Sequence, residues 1–158
     1  MGKKVRISIA MTTCNGALYL RDQLDSFKNQ VRLPDELIVC DDGSTDETLT
    51  ILKEFKHTAP FDMTVIQNEN NIGYTKNFEQ AMLNCSGDLI FISDQDDVWF
   101  SSKIVVVAKT FQDNPDILLV IHDGDLVDKN LISSGVTKLE QVIAGYGYKN
   151  YHVSLMAS

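Results

Sequence analysis

The sequence is short of positive charge. Its 158 residues carry 14 Lys and Arg against 22 Asp and Glu, a formal net charge of -8. That balance argues against a general nucleic-acid surface and against one held to anionic lipid by charge. A phosphate ligand remains open, provided a cation comes with it. Gly-x-Gly-x-x-Gly is absent, and so is a Gly-rich loop ending in Lys-Ser or Lys-Thr. Dinucleotide and P-loop signatures are therefore missing. The three cysteines, Cys14, Cys40 and Cys85, are an odd set without Cys-x-x-Cys spacing. They read as reduced thiols, which fits a cytoplasmic protein. No segment approaches the ~20 apolar residues of a membrane span. The opening "MGKKV" is basic, but the apolar run after it is short and continues into polar "TTCNG", so no signal peptide is expected. His57, His122 and His152 are scattered and read as solvent-facing or satisfied. With no internal repeat and no low-complexity linker, the expectation is a single domain over 1–158.

What is present alternates. "VRISIAMT" (Val5 to Thr12), "ELIVCD" (Glu36 to Asp41), "MTVIQN" (Met63 to Asn68) and "DLIFIS" (Asp88 to Ser93) read as strands. Between them, apolar residues recur at helical spacing. The first set is Leu20, Leu24 and Phe27, and the second is Leu49, Leu52 and Phe55. Tyr74, Phe78, Ala81, Met82 and Cys85 form the third, with Gly87 as its stop. Ser44 and Glu47 have the spacing of a capping box. Past Trp99, "SSKIVVVAKTFQDNP" reads as a helix, with serines before it and Pro115 after it, although Val105 to Val107 also suit a strand. Asp116 to Asp123 reads as a fifth strand and "GDLVDKNLISSG" as a turn-rich excursion. Such alternation marks an α/β fold with a mostly parallel central sheet flanked by helices. In such sheets ligands sit outside the carboxyl ends of the strands. Thr12-Thr13, Asp41-Asp42 and Asp94-Gln95-Asp96 each end a strand.

Each cluster has two readings. Asp94 and Asp96, two apart, project to one side of an extended or turning segment. Carboxylate oxygens suit Mg²⁺ or Mn²⁺, which commonly take one or two carboxylates plus water and substrate phosphate. Equally, the segment is an acidic loop capping the next helix through Asp97. In "CDDGSTD", Asp-Gly makes a turn, Gly43 supplies a positive φ, and Ser44 or Asp46 caps a helix. The other reading leaves Asp42 to accept from a base N–H or a ribose hydroxyl. Thr12 and Thr13 bond a ligand or simply close their strand.

In this order, "SIAMTTCNGALYLRDQLDSFKNQ", "DELIVCDDGSTDET", "NIGYTKNFEQAM" and "GDLIFISDQDDVWFSSKI" resemble the nucleotide-sugar-binding half of family 2 glycosyltransferases, which have the GT-A fold. "SDQDDVW" with "HDGDLVDKNL" looks most like the bacterial, rhamnosyltransferase-like branch that builds surface polysaccharides. The resemblance covers about Val5 to Ile104. It implies Thr12 at the nucleoside, Asp42 at the nucleobase with Asp41 shaping that pocket, and Lys76 near the nucleotide or its phosphates. It makes Asp94 and Asp96 the Asp-x-Asp element, with Asp96 nearest a Mn²⁺ or Mg²⁺ ion. The implied reaction is inverting transfer from a UDP- or dTDP-sugar to a saccharide or lipid-linked acceptor, in the cytoplasm or at the inner face of the membrane with peripheral attachment. Two departures stand out. Cys14 occupies the place of an aromatic, and nothing after Asp125 matches the family's base or acceptor segment. A chain without that acceptor half is expected to bind donor without transferring it, and to self-associate through an exposed sheet edge. A sugar nucleotidyltransferase is the rival enzyme, but "TTCNGA" lacks the basic Gly-rich loop it would carry.

Overall fold

A computed structural model describes residues 4–128 and 130–141. The chain divides into two compact units, Met1–Gln112 and Asp113–Ser158. The first unit contains β1 (Ile7–Thr13), α1 (Leu20–Lys28), β2 (Glu36–Asp41), α2 (Thr48–Lys56), β3 (Asp62–Gln67), α3 (Tyr74–Leu83) and β4 (Leu89–Ser93), and α4 (Lys103–Asp113) closes it. The sheet order is β3-β2-β1-β4, and all three pairings are parallel. The α/β fold with a parallel central sheet is thus as expected.

Strand burial follows position in the sheet. Every residue of β1 and β2 is buried. Ala10 and Cys40 pack with Ala81 of α3. The pleat sends Ile9, Met11, Leu37 and Val39 the other way, and these are also fully buried. Both faces of the central pair are therefore covered, as near-continuous apolar strands require. β4 is at an edge and differs. Phe91 is 7% exposed, while Ile90 and Ile92 are 43% and 54% exposed. Its apolar run is therefore covered on one face only.

Three local expectations need correction. The capping box does not form, because Ser44 turns back to Asp41 and Asp46 instead accepts from the Thr48 N–H at 3.0 Å and its hydroxyl. Helix α3 ends at Leu83 with Asn84 as its C-cap, three residues before Gly87. At Gly87 a Cβ would lie 2.4 Å from Ser8 Oγ and 2.7 Å from Ser8 N, so glycine is there for the close passage of β1. Residues 116–123 form no strand, and Leu118, Leu119 and Ile121 are largely exposed. A strand needs a ladder partner as well as apolar side chains. The second unit forms its ladder later, between β5 (Asp125–Val127) and β6 (Ser133–Thr137). There the Asp128 carboxylate accepts from the N–H groups of Asn130 and Ile132, and Leu131 takes φ 59°, so turn chemistry prevails. His152 lies outside the described residues.

The amino ends of the strands are tied together through one buried carboxylate. Glu36 accepts from Ser8 Oγ at 2.5 Å, Ser86 N at 2.6 Å and Arg6 Nη2 at 3.1 Å. Burial alone would push this carboxyl up, but those donors outweigh it and bring it from 4.5 down to about 2. A depressed carboxyl contributes stability that is present above pH 4.5 and lost as the pH falls through about 2. The lost contribution is on the order of 3 kcal/mol. Glu36→Gln is expected to cost about 2 kcal/mol at neutral pH and to flatten this acid limb. Urea unfolding at a series of pH values checks it, and an unchanged acid limb in the variant would refute the assignment.

Candidate functional site at the carboxyl ends of the strands

An order of β3-β2-β1-β4 reverses direction between β1 and β4, so the crevice for a ligand opens beyond the carboxyl ends of those two strands. Met11 is level with Ser93 and Thr13 with Asp41. Thr12 and Asp94 are the next residues of the two chains, just beyond the last pair of that ladder. The register therefore brings Thr12, Asp41, Asp42 and Asp94 to one end of three adjacent strands.

The β1 and β2 ends are fastened to each other. The Thr13 hydroxyl donates to Asp41 Oδ2 at 2.8 Å, and the Asp42 N–H donates to Thr13 O at 2.8 Å. Asp41 is fully buried and also accepts from Ser44 N at 2.9 Å and Ser44 Oγ at 2.5 Å. Gly43 adopts the expected positive φ, 77°. Asp41 thus shapes the turn that holds Asp42.

Asp42 is 4% exposed and carries a loop. Its Oδ1 accepts from the Asn68 amide at 3.0 Å and from Ile72 N at 2.8 Å, while Oδ2 accepts from Gly73 N at 3.0 Å. Asn68 donates onward to Asn77 Oδ1 at 3.0 Å, and Asn77 donates to Cys40 O at 2.8 Å. Burial raises the Asp42 carboxyl, but the Ile72 N–H, the Asn68 amide and the Gly73 N–H together hold it below its usual range. Ile72 and Gly73 lie directly before α3, so Asp42 ties the entry of that helix to the end of β2. Lys76 lies exposed in its first turn.

The acidic loop after β4 is held at both ends. Gln23 donates to Ser93 Oγ at 2.8 Å, and Ser93 Oγ donates to Asp94 O at 2.9 Å. Asp94 Oδ1 accepts from Gln95 N at 2.9 Å. Beyond the acids, the Trp99 ring packs edge-on to Phe27 at 4.8 Å and tilted to Phe91 at 5.8 Å. Lys103 Nζ sits 3.8 Å from the Trp99 ring centre. Desolvation lowers that ammonium to about 8, against the pull of Asp97. Gln30 donates to Phe100 O at 2.9 Å and accepts from Ile104 N at 3.1 Å, locking the return into α4. Helix α4 begins at Lys103, so Asp97 is not its cap.

Asp96 is exposed at the tip. Partial desolvation and the charges of Asp94 and Asp97 push its carboxyl up. Among the described residues no lysine or arginine closes an ion pair with Asp94, Asp96 or Asp97. No three His, Cys, Asp or Glu side chains among the described residues form a ready metal cage. A two-carboxylate donor set suits Mg²⁺ or Mn²⁺ when phosphate oxygens and water complete the shell.

Open clefts lie at both ends of the sheet. One of about 450 Å³ adjoins Asp42 and is lined by Gly43, Ser44, Thr45, Gln67, Asn68 and Glu69. Another, of about 560 Å³, lies at the amino ends beside Pro34, Asp35, Pro60 and Asp62. The smaller cleft shares the carboxyl end with the acidic loop and the switch point, but the β2 and β3 ends line it, and Thr12, Lys76, Asp94 and Asp96 do not. Three amide residues that build this end, Asn68, Asn77 and Gln95, were not singled out by sequence reasoning as site builders. The Asn-rich run "NENNIGYTKN" was the available signal for two of them, since an amide that donates and accepts can join two polar groups.

The chain matches the family model for glycosyl transferase family 2 over residues 8–150. It is 35% identical over 98 residues to the dTDP-rhamnosyl transferase RfbG of Shigella flexneri, covering 60% of this chain and 34% of that protein. It is 29% identical over 126 residues to an uncharacterized glycosyltransferase of Nostoc sp., covering 80% of this chain and 38% of that protein. The chain therefore spans well under half the length of these relatives. Among solved structures it is similar to S. aureus TarS (residues 1–349) in complex with UDP, at TM-score 0.64 and 26% identity, covering 70% of this chain and 33% of that one.

Proposed function

Because the chain belongs to glycosyl transferase family 2, we propose that it binds a nucleoside diphosphate sugar, a UDP- or dTDP-sugar, for metal-dependent inverting transfer. The acceptor in this reading is a saccharide or lipid-linked glycan of a cell-surface polysaccharide, met at the cytoplasmic face of the membrane. The observation that supports it is the shared position of Thr12, Asp41, Asp42 and the Asp94–Asp96 segment at or just past the carboxyl ends of β1, β2 and β4. Similarity to a dTDP-rhamnosyl transferase and to a UDP complex supports the donor class.

Each residue has a role in this reading. Thr12 lies beside the nucleoside, and Asp42 offers the base its remaining acceptor site. Lys76 supplies positive charge toward the phosphates. Asp94 and Asp96 would hold Mn²⁺ or Mg²⁺, which when bound stabilises the departing diphosphate. No base is assigned. Asp123 already accepts from Gly124 N at 2.8 Å and Leu139 N at 2.8 Å within its own unit. Among the described residues no helix is long and apolar enough to cross a membrane; peripheral attachment is part of this proposal. The uncovered Ile90 and Ile92 on edge strand β4 are the proposed face for self-association.

The test is calorimetric titration with UDP, dTDP, GDP and ADP in the presence of Mn²⁺. UDP or dTDP should bind in the micromolar range, ahead of both purine nucleotides. Absence of binding by all four would overturn the proposal.

A further inference from the structure

We infer that Gln95 is a positioning residue, its side-chain amide bolting the main chain of the β1–α1 loop to the acidic loop across the crevice. This rests on the reading above, since it concerns the two walls between which the donor would lie.

The β1–β4 ladder ends at Met11 and Ser93, where the two chains part to open the crevice. Beyond that point the Gln95 side chain takes the place of a ladder strand. Its Oε1 accepts from Cys14 N at 2.9 Å, and its Nε2 donates to Cys14 O at 3.2 Å. One primary amide therefore satisfies both main-chain groups of one residue, which neither a carboxylate nor an alkyl side chain can do. The sequence also makes room for it. A Cβ at Gly16 would lie 2.2 Å from Gln95 Oε1 and 2.5 Å from its Cδ. Gly16 has no positive φ, so what an added Cβ would displace there is the Gln95 side chain and not the backbone conformation. The clamp is set from its own side too, because Asp94 Oδ1 holds the Gln95 N–H at 2.9 Å.

The consequence is a fixed spacing. Cys14 borders the loop proposed to face the nucleoside, and Gln95 stands between the two carboxylates proposed for the metal. Without the clamp both loops remain attached through β1 and β4, but their separation is no longer set.

The test uses Gln95→Ala, Gln95→Glu, Gly16→Ala and the Gln95→Ala/Gly16→Ala double variant. Three quantities are measured: melting temperature, UDP affinity in Mn²⁺, and the alkylation rate of the Cys14 thiol without ligand. Cys14 is exposed, whereas burial pushes the Cys40 and Cys85 thiols up to about 11, so alkylation reports on Cys14. Gln95→Ala should weaken UDP about tenfold and speed alkylation several-fold, with the melting temperature near wild type. Gln95→Glu keeps the Cys14 N–H contact but sets an oxygen against Cys14 O, and should also weaken UDP. Gly16→Ala alone should reproduce the Gln95→Ala losses and add nothing in the double variant, since both break one contact. UDP affinity within twofold of wild type with unchanged alkylation, or additive losses in the double variant, would overturn the inference. If the wild-type chain binds no nucleoside diphosphate, the proposed function fails, while alkylation and its non-additivity still decide whether the clamp exists.

Discussion

Asp42→Ala is expected to lower unfolding stability by about 2–4 kcal/mol, as three part-buried donors lose their acceptor at about 0.5–1.5 kcal/mol each. The donors are the Asn68 amide, Ile72 N and Gly73 N. That is a large share of the ~5–15 kcal/mol typical of a domain. Asp42→Asn separates charge from shape. Its oxygen can take the Oδ1 place, where two donors converge, but its NH₂ then faces Gly73 N in the Oδ2 place. One contact is lost, so the cost should be about 1–3 kcal/mol. Urea unfolding at neutral pH measures both, and a loss below about 1 kcal/mol for the alanine variant would show that the loop re-pairs with water. The carboxylate has about four acceptor sites, and the structure fills three. In the proposed site the fourth, on Oδ2, takes the N3–H that uracil and thymine share. Asp42→Asn should then blunt discrimination against GDP and ADP, whereas an unchanged ranking would leave Asp42 with its structural role alone.

The sequence could be read where local signals and burial agree. β2 was read to the residue, because "ELIVCD" is apolar up to two carboxylates and follows Pro34. Helix α4 prevailed over its β-branched Val105–Val107 run, because Ile104, Val107 and Ala108 share its buried face. The reading failed at 116–123, where apolar content is present but a pairing partner among the described residues is not. The acids of the candidate site stood out, since carboxylates closing a buried strand call for a reason. What supports them could not be read. Gln95 meets Cys14 across 81 residues of chain, and Asn77 meets Cys40 across 37. Composition carries no trace of such pairings, because an amide looks the same whether it faces water or a main chain. Asp42 is the instructive case. The turn-forming and ligand-binding readings were set against each other, yet the structure commits the carboxylate to Asn68, Ile72 and Gly73, a loop-anchoring role that neither reading named.

Asp96→Ala is expected to weaken UDP about hundredfold in Mn²⁺, whereas Asp97→Ala should change it less than about threefold. The two neighbours differ in what already balances them. Asp97 lies in the field of Lys103, whose ammonium it helps keep protonated. Asp94 uses one oxygen on the Gln95 N–H. Asp96 sits exposed between them, and desolvation with the charges of Asp94 and Asp97 works against its ionised form. A divalent cation relieves that repulsion and a diphosphate completes the neutralisation. Unit charges 4 Å apart interact by about 4 kcal/mol at an effective dielectric of 20, and exposure leaves only part of this. A hundredfold change, about 2.7 kcal/mol, fits that remainder. The same titration in EDTA supplies the control. There wild type and Asp96→Ala should bind UDP equally weakly, because the lost carboxylate no longer has an ion to hold. Wild-type affinity that is equal in Mn²⁺ and EDTA would sink the metal assignment outright. A full effect in EDTA as well would instead mean that Asp96 shapes the loop without holding a cation.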